Sequence, residues 1–160
     1  MIPYEKKNFE CSQKKNFLNL EMQFLEFSCS INFIKEIYKL SYTFFNIIKR
    51  KNIKITICFV HPIYMKNLNL IFRNNYKTTD IISFPYIKSN KNEKYYFGDI
   101  ILCPSAILEK SKKKNISFLY YFQKILLHGF LHLLGYDHKN YVDYKLMYTL
   151  EKKIFLKIKN

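Results

Sequence analysis

Tryptophan is absent from this chain, alanine occurs once (Ala106), arginine twice (Arg50 and Arg73) and glycine three times (Gly98, Gly129 and Gly135). The four cysteines, Cys11, Cys29, Cys58 and Cys103, form no C-x-x-C pair. That leaves no cysteine-based zinc or redox motif, and 160 residues are enough for a core without disulfide staples, so reduced cytosolic thiols and a cytoplasmic location are expected. No uncharged apolar run reaches the roughly 18 residues of a membrane helix, so no membrane partner is expected. The N-terminal stretch MIPYEKKNFECSQKKNF carries charges throughout and has no apolar segment of the secretory kind. Acidic residues are also few, 12 against 27 Lys and Arg, which sets the net charge at +15.

What the chain has is hydrophobic mass. At 49% hydrophobic it can bury a real core, and low-complexity disorder is excluded. Lys, Ile, Asn, Phe and Tyr dominate, and all five are written with A- and T-rich codons. Part of the lysine excess is therefore codon drift. The charge still attracts polyanions whatever its origin, and nucleic acid is the favoured partner class.

The length suits one domain. Residues 1–17 are polar and aperiodic and read as a flexible N-terminal extension, leaving a single domain over 18–160. Leu18 to Cys29 is apolar and reads as a strand. Ser30 is placed to cap a helix carrying Phe33, Ile34, Ile37, Leu40, Phe44, Ile47 and Ile48 at helical spacing. Ile53, Ile55, Ile57 and Phe59 alternate with Lys54, Thr56 and Cys58 at strand period. Pro62 opens a short helix towards Phe72. Thr78–Phe84 and Phe97–Cys103 read as strands joined by the polar loop KSNKNEK. Three helices follow, from Pro104 to about Lys112, from Phe118 to Leu134, and from Tyr141 to Ile158. Val142, Leu146, Leu150 and Ile154 mark an apolar face on the last. The order gives an α/β (α+β) domain, a small mixed sheet of about four strands packed with helices.

One window concentrates the scarce residue types. HGFLHLLGYDH, residues 128–138, holds three of four histidines and two of three glycines. His128 and His132 are four apart on a predicted helix, so both imidazoles leave one face. Gly135 can end the helix in a left-handed turn. His138 then returns to the open side of the first pair. Three imidazoles suit one zinc ion with a fourth position left for water, although iron, nickel and copper also accept such ligands. A lone histidine on an apolar helix is ordinarily a core residue with a satisfied hydrogen bond. A glycine and a third histidine at these offsets argue against coincidence. The same spacing in metalloproteases places glutamate after the first histidine as general base. Here that position is Gly129, which cannot move protons, and a peptidase reading lacks its base.

HGFLHLLGYDH resembles the signature of the YbeY family of rRNA maturation factors. LNLIFRNNYKTTDIISFP (68–85), with Arg73, and GDIILC (98–103) resemble two further blocks of that family. Met147 and Glu151 fall where its final helix has such residues. The resemblance spans about residues 52–158, and all three glycines lie inside it. It implies a zincin-like fold with the metal site on a core helix and the following turn. It also implies a single-strand-specific, metal-dependent endoribonuclease with one zinc per chain. Its substrate would be RNA, namely the 3′ end of small-subunit rRNA, and its setting ribosome quality control. Arg73 becomes the candidate to grip phosphate as a two-pronged donor, against the plainer role of a surface cation. Asp137 and Asp99 are candidates to orient an imidazole, against a turn cap and a lysine partner respectively. A ribosome-assembly binding factor with a structural zinc, and a metallopeptidase-like hydrolase, remain as other readings.

Overall fold

The computed structural model describes residues 4–13, 16–25, 29–50, 53–86 and 96–159, with side chains at 18, 20–25, 29–50, 53–86 and 96–158. The strands are β1 (Tyr4–Gln13), β2 (Asn16–Leu25), β3 (Ile53–Phe59), β4 (Ile81–Pro85) and β5 (Tyr96–Leu102). The helices are α1 (Ile31–Ile47), α2 (Pro62–Arg73), α3 (Pro104–Lys113), α4 (Phe118–Leu133) and α5 (Tyr141–Lys159). They build one mixed five-stranded sheet in the order β1-β2-β3-β5-β4. β2, β3 and β5 run parallel, and β1 and β4 pair antiparallel at the two edges.

Two expectations change at the N-terminus. Residues 4–13, expected as a loose extension, form β1 and pair with β2 along its whole length. The sheet therefore has five strands rather than about four. Ladder hydrogen bonds come from the backbone, and an edge strand tolerates charged side chains, so YEKKNFECSQ carries no apolar period to read.

Alternation places the core. Ile53, Ile55, Ile57 and Phe59 are all buried while Lys54 between them is exposed. This face of β2, β3 and β5 packs against α1, α4 and α5. The opposite face receives a smaller cluster, with Met65 of α2 and Ala106 of α3 against Val60, Ile82 and Cys103. Ser30 caps α1 by accepting a hydrogen bond from the Phe33 amide at 3.2 Å, as its position predicted. Ser117 caps α4 in the same way, from the Tyr120 amide. α4 is apolar almost all round, which is the composition of a buried helix. Its Phe122, Leu126, Leu127 and Phe130 are at most 1% exposed. Each such side chain contributes on the order of 1.5–3 kcal/mol. That anchorage fixes where the histidines of its last two turns point.

α5 corrects part of a third expectation, since Ile154 of the predicted face is buried and Leu150 packs against the core. Its buried face is Met147, Ile154 and Phe155, whereas Val142 and Leu146 are 73% and 58% exposed. The helix carries two apolar stripes, and only the one meeting α1 and α4 is covered. β4 also starts later than Thr78 suggested. Asn74, in left-handed conformation, ends α2, and Asn69 binds the Lys77 carbonyl from inside, so residues 74–80 form a fixed turn. KSNKNEK lies outside the described residues. Cys58 and Cys103 are free thiols, and burial pushes Cys58 up to about 11. Among the described residues no helix is long and apolar enough to cross a membrane.

Candidate metal centre

α4 ends in a turn that delivers the third histidine. The Tyr136 amide donates to the Leu131 carbonyl at 3.1 Å, and the Gly135 amide to the His132 carbonyl at 2.9 Å. This double closure needs a left-handed residue at position 135, where φ is +90°. Glycine adopts it without strain, and the chain turns back so that His138 approaches the helix.

His128, His132 and His138 then converge. Their facing ring nitrogens all lie within 4.8 Å of one another. Nε2 of His128 and Nε2 of His132 are 3.1 Å apart. Two ligands ~2.05 Å from a tetrahedral ion stand roughly 3.3 Å apart, so the helical pair already has ligand spacing. His138, the exposed member on the turn, completes the set. Opposite the cluster, Nδ1 of His128 donates to Glu151 Oε2 on α5 at 3.2 Å. That bond fixes the tautomer and leaves the Nε2 lone pair facing the cluster. Burial, then the neighbouring His128 and His138, push the pKa of His132 down to about 4. His132 is therefore neutral at pH 7, the form that binds metals. Among the described residues this donor set fits one ion.

The cluster lies in a cavity of about 560 Å³, whose lining includes Arg73, Ser83, Ile125 and Tyr136 with the three histidines. Arg73, in the last turn of α2, is exposed and stands on the wall of this cavity. The Ser83 hydroxyl is buried in the wall without a hydrogen-bond partner. Sequence reasoning missed Ser83, and it left Glu151 without a role. Neither aspartate weighed for orienting an imidazole bonds one, and Asp137 takes the turn-capping role weighed beside it. Asp137 accepts from the His138 amide at 2.8 Å and pairs with Lys139, capping the turn. Asp99 accepts from the Tyr96 hydroxyl rather than pairing with a lysine. His61, the fourth histidine, precedes α2 and stays outside the cluster.

Gly129 has a packing reason. A Cβ there would stand 2.6 Å from Ile81 Cδ1 and 3.2 Å from both Ile100 Cδ1 and Ser83 Oγ. The helix packs closely against β4 and β5 here, so a side chain at the position of the protease glutamate must displace Ile81.

Asp80 anchors the cavity wall. It is 6% exposed, binds Lys110 at 2.9 Å and accepts from the Tyr121 hydroxyl at 2.8 Å. Burial pushes its carboxyl up, but the Lys110 hydrogen bond and charge and the Tyr121 hydroxyl outweigh this and hold it below the ordinary 3.8. A carboxylate with a lowered pKa stabilises the fold above its ordinary pKa, and that contribution fades as pH falls through the lowered value. Asp80→Asn is expected to cost about 1–3 kcal/mol at pH 7. Urea unfolding of both proteins across the acid range checks this, and the gap should close below the carboxylate range.

Comparison with known proteins identifies the family. A family model described as Endoribonuclease YbeY matches residues 9–159. The Endoribonuclease YbeY of Buchnera aphidicola subsp. Baizongia pistaciae is 42% identical over 105 residues, 66% of this chain and 68% of that protein. That of Pelagibacter ubique is 42% identical over 113 residues, 68% of this chain and 72% of its own length. That of Thermodesulfovibrio yellowstonii is 38% identical over 106 residues, 66% and 67% of the two chains. A solution structure from Thermotoga maritima, 24% identical, superposes with a TM-score of 0.60 over 87% of this chain and 88% of that one, which shows a shared fold. The chain belongs to the YbeY family.

Proposed function

We propose that this protein is a zinc-dependent endoribonuclease that cuts single-stranded RNA and acts on the 3′ end of small-subunit rRNA. The observation that carries the reading is the convergence of His128, His132 and His138 in a cavity walled by an arginine. The relatives' printed names supply the activity class. The site residues are the three histidines as ligands and Arg73 as the group that holds phosphate.

Zinc is the metal that three imidazoles suit best, and when bound it would lower the pKa of a water to about 7 and supply a nucleophile near neutral pH. The chain's own residues do the rest. Glu151 holds the His128 ring in orientation. His132 stays neutral because it is half-buried between two other imidazoles. Arg73 presents a planar fork that matches two phosphate oxygens and offsets the charge gained as phosphorus is attacked. Gly129 disfavours the peptidase reading, since it carries no carboxylate and its close packing against Ile81 leaves little room for one.

The test is incubation of the purified protein with RNA carrying a precursor small-subunit 3′ end. Cleavage should fall in the single-stranded part, spare a duplex of the same sequence, and vanish in His132→Ala. Arg73→Lys separates a phosphate grip from mere charge. It keeps the cation and loses the fork, so cleavage should fall about ten-fold or more, as one charge-assisted hydrogen bond is worth roughly 1.5–3 kcal/mol. Metal content and RNA affinity should barely change, because attraction sums over many phosphates. Wild-type cleavage by Arg73→Lys would reduce Arg73 to one more surface cation.

A further inference from the structure

α5 begins three residues after His138 and carries Glu151, so both its first turn and its middle are tied to the histidine cluster. Between these two points it exposes tyrosines instead of burying them. Tyr141, Tyr144 and Tyr148 are 76%, 53% and 52% exposed. Tyr144 and Tyr148, one helical turn apart, stack with ring centroids at 6.0 Å and planes 16° from parallel. Tyr144 is seven residues before Glu151 and Tyr148 three before it, so all three share one side of the helix. Lys145 and Lys152 are exposed and by helical spacing run along one side of the pair. The two acids of α5 are engaged elsewhere, Asp143 with Asn140 and Glu151 with His128. A solvent-facing aromatic pair beside two lysines, where the carboxylate on its own side of α5, Glu151, is bonded to His128, is complementary to unpaired bases on a phosphate strand.

We propose that Tyr144 and Tyr148 form a stacking platform for bases of single-stranded RNA outside the cleaved bond, with Lys145 and Lys152 along its phosphates. This rests on the nuclease reading and adds a substrate-holding surface to it. Seven helical residues span about 10 Å. Tyr148 is nearer, three residues or about 4.5 Å along the axis from Glu151, so the platform begins within one to two stacked nucleotides of the residue that holds His128. The strip therefore favours unpaired over duplex RNA, because a duplex keeps its base faces covered.

The test uses the full chain carrying His132→Ala, so that the strand stays intact. Affinity for a labelled single-stranded RNA and for an abasic strand of equal length is read by anisotropy. The Tyr144→Ala/Tyr148→Ala pair should bind the RNA about ten-fold or more weakly. Tyr144→Phe/Tyr148→Phe should stay near the tyrosine protein, since phenylalanine still stacks. The abasic strand should bind all three alike. Unchanged RNA affinity in the alanine pair overturns the platform. So does an equal loss on the abasic strand. Unchanged affinity together with altered self-association by light scattering overturns it too, and assigns the strip to a second copy of the chain. A protein that binds in the expected pattern but whose His132 form cuts no RNA defeats the nuclease reading and keeps the platform. One that cuts RNA while the alanine pair binds normally does the reverse.

Discussion

Replacing any one of His128, His132 or His138 by alanine is expected to lower bound metal from about one ion per chain to a small fraction of that after desalting. Three protein ligands are the minimum of an open catalytic site, and two imidazoles seldom hold an ion against buffer. The loss should be steepest for His132, whose Nε2 lies 3.1 Å from that of His128 and which sits between two other imidazoles. None of the three side chains fills the core, as His128 and His132 are half-buried and His138 is exposed. The metal-free variants should therefore keep the helical signal of the wild type. Elemental analysis of the three variants decides it, and metal content equal to wild type in all three would remove the site.

Gly129→Glu is expected to have the largest effect on stability. Alanine already brings a Cβ within 2.6 Å of Ile81 Cδ1, which a flexible side-chain end relieves at about 1–3 kcal/mol. Glutamate must also place an unpaired carboxylate between α4 and the β4–β5 pair, at on the order of 3–5 kcal/mol. In a domain of this size that lowers the melting temperature by roughly 10 °C, with Gly129→Ala in between. Thermal unfolding of both variants measures it. A glutamate variant that melts within about 2 °C of wild type and cuts RNA faster would show that the position is open and that a carboxylate base works there.

How much of this was legible depended on the range of each contact. The histidine window could be read because helix spacing and one glycine fix its geometry locally, and the turn at Gly135 forms as that spacing requires. β3 was legible because burial on one face forces alternation. Glu151 appeared only as a position on the last helix, since its bond to His128 joins residues 23 apart and nothing local records it. The apolar face read on α5 holds at Ile154, which is buried, and at Leu150, which packs against the core, but not at Val142 and Leu146, whose places are taken by Met147 and Phe155. Contact with α1 and α4 chooses between them. β1 was missed because its pairing uses backbone groups. Asp137 and Asp99 were plausible by proximity in sequence to the motif blocks, and their side chains are occupied by the His138 amide and the Tyr96 hydroxyl.

The central claim is that the three histidines hold the metal that makes this chain a nuclease. Protein stripped by a chelator and titrated with zinc tests it most directly, with cleavage of single-stranded RNA read at each addition. The stripped protein should be inactive, and cleavage should rise linearly and level off at about one zinc per chain. Full cleavage by the stripped protein, or a plateau unrelated to occupancy of the His128–His132–His138 site, would contradict the account.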